Sequence, residues 1–109
     1  MMKLEVYLKE HSNCNASIIN QVVRSGTSVG ANIAESMHAE SRADFIHKLK
    51  VAMKEADETL NWVEGIKDSY KVNQIAMSSL IDDLNEIRYM LLASLKTAKL
   101  NDSLKGTKK

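Results

Sequence analysis

The 109-residue sequence predicts an all-α fold: an antiparallel, up-down four-helix bundle whose first helix is short. Three observations point there. Proline, which breaks helix interiors, is absent from the whole chain. Apolar residues recur at three-and-four spacing through three long segments, and nowhere do they alternate with a period of two, as a strand would require. Short polar clusters separate the segments, so successive helices must run antiparallel.

The first segment, Met2 to about Glu10, has Leu4 and Leu8 four apart but is too short to be stable alone and must dock on something. The cluster His11 to Asn15 is a turn rich in residues that cap helix N-termini. The second segment runs from about Ala16 to His38. It places Ile19, Val22, Gly26, Val29, Ile33 and Met37 on one face and Arg24, Ser28, Glu35 and His38 on the other. Ser41 followed by Asp44 reads as a capped start for the third segment, Arg42 to about Tyr70.

The third segment carries its main stripe on Phe45, Leu49, Ala52, Met53, Ala56, Leu60, Val63 and Tyr70. A second stripe, Val51, Glu55, Trp62 and Ile66, lies a quarter turn or more away. Asn73 is a plausible cap for the fourth segment, about Gln74 to Leu100. There Met77, Leu80, Leu84, Ile87, Leu91, Leu95 and Ala98 form a seam close to a heptad. One helical domain over residues 1–100 and a flexible, lysine-rich tail over 101–109 complete the expected organisation.

Composition narrows the functional classes. A formal net charge of +1 gives no global electrostatic case for nucleic acid. Cys14 is the only cysteine, which excludes an internal disulfide and makes a reducing cytoplasm the expected compartment. No signal peptide is read in the first residues, and no run of about 18 apolar residues predicts a membrane span.

Residues Gln21 to Glu35 read QVVRSGTSVGANIAE, and Ser41 to Glu64 read SRADFIHKLKVAMKEADETLNWVE. The RSGTS-x-GAN-x-AE stretch, the D-F and K-L pairs and the A-x-KEA-x-ET-x-x-W run resemble the signature of a small bacterial family called four-helix-bundle proteins, or 23S rRNA intervening-sequence proteins. The resemblance spans about residues 18 to 100. It implies an up-down four-helix bundle and, as in several members, assembly into a ring-shaped homopentamer. The family name records where some genes lie and names no activity. One branch resembles the accessory protein of diversity-generating retroelements, a basic pentamer that engages RNA and a reverse transcriptase. Members usually carry a full-length first helix. Here only about ten residues could serve, so the first helix is short, or a neighbouring subunit covers the groove, or the start site differs.

Several constellations invite a site. Gly26 and Gly30 lack the Gly-Lys-Ser/Thr ending of a phosphate loop and read as helix-packing glycines. Glu35 and His38 form a Glu-x-x-His pair, but a di-iron centre needs a second such pair and two more inward glutamates. Asp44 with His47 is a poor second half, so no metal, cofactor or catalytic residue is expected. Arg24, Ser28, Glu35, Glu55, Glu58 and Trp62 avoid the main core stripes and read as a polar network or subunit interface. Lys50, Lys54, Lys96 and Lys99 are the candidate nucleic-acid contacts. The expected function is a non-enzymatic, self-associating helical scaffold, with a homopentamer as the expected assembly. The alternative is an RNA-binding accessory protein.

Overall fold

Side-chain caps place the helix starts where the polar clusters predict them. The computed structural model describes the backbone of residues 2–107 and the side chains of residues 3–101. Its helices are α1 (Met2–His11), α2 (Ala16–Ser36), α3 (Arg42–Ser69) and α4 (Gln74–Thr107). The Asn15 side chain accepts from the Ser17 N–H at 2.8 Å, Ser41 Oγ from Asp44 at 3.0 Å, and Asn73 Oδ1 from Ala76 at 3.0 Å. Each satisfies a backbone donor that a helix start leaves unpaired, and losing such a cap costs ~1 kcal/mol.

Two helix ends differ from the sequence reading. Helix α2 stops at Ser36, where three-residue bonds from Met37, His38 and Ala39 back to Ala34, Glu35 and Ser36 tighten the chain into a turn. Met37, just past this end, is 77% exposed although it stays on the side of Ile33. Helix α4 continues past Leu100 to Thr107. The predicted tail at 101–109 thus begins within this helix, and its side chains beyond Asn101 and residues 108–109 lie outside the described residues.

Helix α3 is the middle of the molecule. It packs on both α2 and α4, and α1 packs on α2. Among the described residues, the Cα atoms of α2 and α4 nowhere come within 8 Å of each other. A trough therefore runs between α2 and α4 with α3 as its floor. At 1.5 Å per residue, the ten residues of α1 span about 15 Å, whereas the 34 of α4 span about 51 Å. The first helix can close only one end of that trough.

Burial follows this geometry. At the closed end, Leu8 of α1 meets Ile19, Val22, Val63, Ile66, Met77 and Leu84 in one buried cluster, with Leu4, Tyr7 and Trp62 packed against it. The Tyr7 hydroxyl also accepts from the Asn73 N–H at 2.9 Å, tying α1 to the start of α4. At the far end the cluster is smaller: Leu49, Ala52, Leu91 and Leu95 are buried, with Ile33, Phe45, Ile46, Met53 and Ile87 only half covered. The α4 seam holds, with Met77, Leu84, Leu91, Leu95 and Ala98 all buried. The second stripe on α3 does not survive as a separate face. Ile66 is 1% exposed inside the core, and Trp62 packs against the same cluster of its own chain.

Candidate functional site

The polar residues singled out in the sequence come together along the α2–α3 seam. Arg24 on α2 donates from Nη1 to Glu55 at 3.3 Å, from Nη2 to Glu58, and from Nε to Gln21 at 3.0 Å. The indole N–H of Trp62 donates to the same Glu58 oxygen at 3.5 Å. The hydrogen bond from Arg24 holds the Glu58 carboxyl below its ordinary range, and its reciprocal raises the guanidinium. The ionised Glu58 and Arg24 thus form an electrostatic strut between α2 and α3. Arg24 is half in solvent, and such pairs contribute little to stability.

The remaining members of the polar set also find partners within the chain. Glu35 pairs with Lys48 at 3.0 Å, and that contact pushes the lysine up. Ser28 is bound by Asn32, whose amide donates to the serine carbonyl at 2.8 Å and to its hydroxyl at 3.1 Å. All of these contacts lie within one chain.

One pair escaped the sequence reading. Ser25 and Thr59 are fully buried where α2 meets α3. The Ser25 hydroxyl donates to the Gln21 carbonyl at 2.8 Å and accepts from Thr59 at 2.8 Å, while the same Thr59 proton is shared with the Glu55 carbonyl at 2.7 Å. All polar atoms are satisfied, as burial demands. The available signal was a small hydroxyl next to each apolar stripe.

The glycines divide. Gly30 is exposed, and a Cβ built on it would meet nothing within 4 Å. Gly26 is half-buried. The expectation that Gly30 admits a close helix neighbour is not met inside this chain: α1 is too short to reach it. Gly30 instead faces open space. At the open end of the trough Ile33, Met37, Phe45, Leu49, Ile87 and Met90 line an apolar depression of about 330 Å³.

Beyond that depression the outer side of α4 exposes further apolar surface: Tyr89 is 75%, Met90 64% and Leu92 43% exposed. The α4 seam read from the sequence includes none of these three. Lys50, Lys54, Lys96 and Lys99 are all exposed, on α3 and α4 at the end away from α1. His38 and His47 are exposed too. Among the described residues, no group of three His, Cys, Asp or Glu side chains converges as metal ligands would, and no helix is long and apolar enough to cross a membrane. Cys14 is buried, and burial pushes its thiol up, which makes it a poor nucleophile.

The 23S rRNA-intervening sequence protein family matches residues 2–93. The chain belongs to this family. Of solved structures, a crystal structure of a protein of unknown function from the S23 ribosomal protein family of Bacteroides thetaiotaomicron is 38% identical, with a TM-score of 0.82 over 87% of each chain. Comparison with curated proteins gives no match. The 23S rRNA-intervening sequence family and its four-helix fold are therefore secure, and neither match carries an enzymatic description.

Proposed function

We propose that this chain is a non-enzymatic, self-associating helical scaffold. The observation that carries the reading is the unclosed trough: α1 shelters one end of the α2–α4 gap, and the other end leaves Ile33, Phe45, Met90 and their neighbours half in water. Monomeric proteins rarely keep contiguous apolar patches of more than a few hundred Å² without a use for them. Gly30, with open space over its Cα, allows a second backbone to lie close there. The family resemblance supports a ring of five as the assembly, and the lone buried cysteine supports a reducing cytoplasm as the compartment. Trp62 adds nothing to this surface, since it packs against the core of its own chain. Mass photometry and equilibrium sedimentation test it. Oligomers at micromolar concentration are expected, and monomer alone would overturn the reading.

A second reading, an RNA-binding accessory protein, draws on the four exposed lysines at one end of the bundle. Retention on RNA that weakens steeply with salt would favour it. The near-neutral net charge of +1 works against it.

A further inference from the structure

The outer side of α4, opposite its buried seam, carries a row of its own at alternating four- and three-residue spacing: Asp82, Glu86, Tyr89, Ala93, Lys96 and Leu100, all exposed. The spacing is that of a coiled-coil seam, with apolar residues at Tyr89, Ala93 and Leu100 and charges at the other three positions. The charges are segregated along it, acidic before Tyr89 and basic after Ala93. A parallel copy would set Glu86 against Glu86 and Lys96 against Lys96. An antiparallel copy reverses this. With the two-fold axis beside Leu91, Glu86 of each chain faces Lys96 of the other, Asp82 faces Leu100, and Tyr89 packs on the small Ala93.

The same register brings together the flanking hydrophobics. Met90 meets its symmetry mate on one edge of the seam, and Leu92 meets its own on the other. Asp83 falls opposite Thr97 and Asn85 opposite Lys99, so no like charges face each other. Shifting the register by one heptad in either direction removes the Glu86–Lys96 layer. Neither Glu86 nor Lys96 has an ion-pair partner in its own chain among the described residues. Among the described residues, no backbone from α1 or α2 approaches α4, so this face is unobstructed.

We propose that the outer face of α4 binds a second copy of this chain as an antiparallel two-fold helix pair, held by Tyr89–Ala93 packing and paired Glu86–Lys96 contacts. The proposal rests on the scaffold reading and gives it a surface and a partner. Being isologous, the contact is distinct from the head-to-tail contact that closes a ring, and within a ring it would join two rings face to face.

A charge exchange tests it. Equilibrium sedimentation would compare wild type with Glu86→Lys, Lys96→Glu, the double exchange and Tyr89→Arg, with helical circular dichroism checking the fold of each. All three substituted positions are exposed, so folding is expected to survive. Each single reversal sets like charges together at two symmetric places and weakens the two-fold step about tenfold or more. The double exchange recovers most of that loss, and Tyr89→Arg gives the largest loss. A double exchange no tighter than either single variant overturns the pairing. If wild type assembles but no variant changes its assembly, the pairing fails and the scaffold reading stands. If wild type stays monomeric, both fall.

Discussion

The two ends of this bundle are built from the same three long helices, yet only one of them is finished. At the α1 end, Leu8 sits at 1% exposure over Ile19, Val22, Val63, Ile66 and Met77, and the core has no open side. At the other end, α2, α3 and α4 diverge around a depression of about 330 Å³, with Ile33, Phe45 and Ile87 left half covered. The difference is one of length. A helix of ten residues shelters roughly 15 Å of a trough that the 21 residues of α2 make about 32 Å long. Burial is therefore local to the reach of α1, and the open end is the surface that the proposed second copy would cover.

Breaking the closed end gives the largest expected effect. Leu8→Ala is expected to cost about 3 kcal/mol in denaturant unfolding, because the residue is fully buried and α1 has little else to hold it. The matching truncation at the open end, Phe45→Ala, is expected to cost about 1–2 kcal/mol in dilute protein, since that ring is already partly in water. Equal losses at the two ends would remove the distinction between them.

Gly30→Ala sharpens the comparison by changing sign with assembly. The site is helical and open, so alanine is expected to stabilise the dilute chain by about 0.5–1 kcal/mol. If a second backbone lies close over Gly30 in the oligomer, the same methyl weakens association. Thermal unfolding and sedimentation of one variant read both effects.

The smallest effect belongs to the Arg24 strut. Glu58 has a folded pKa depressed by its hydrogen bond from Arg24, so its contribution is present above the ordinary carboxylate range and lost as pH falls through the folded value. Wild type should exceed Glu58→Gln slightly in denaturation midpoint near neutrality, and the gap should close below about pH 4. A gap that widens in acid would contradict the assignment.

Much of this architecture was readable before any coordinates. Asn15, Ser41 and Asn73 announced the helix starts because capping chemistry is local to the chain. The α4 seam was legible because α4 packs its backbone against one helix, so its buried arc is narrow and its spacing regular. Helix α3 packs between α2 and α4, so its buried arc is wide: it joins Ile66 of the second stripe to the main one and takes in Thr59, which belongs to neither. The polar strip of Arg24, Glu55 and Glu58 was visible as residues, but its partners were not, because contacts between helices depend on their rotation about one another. Gly30 was legible as a place for close approach. Glycine specifies that a backbone can come near and says nothing about whose, which is why its open surroundings emerge only from the fold.

The most direct test of an unfinished end that another copy completes is amide hydrogen exchange at increasing protein concentration. From about 1 to about 100 µM, mass action predicts rising protection in α4 around Tyr89 to Leu95 and in α2 from Gly30 to Ser36, while the first half of α2, covered by α1, stays constant. Protection at the open end that does not change with concentration would contradict the account.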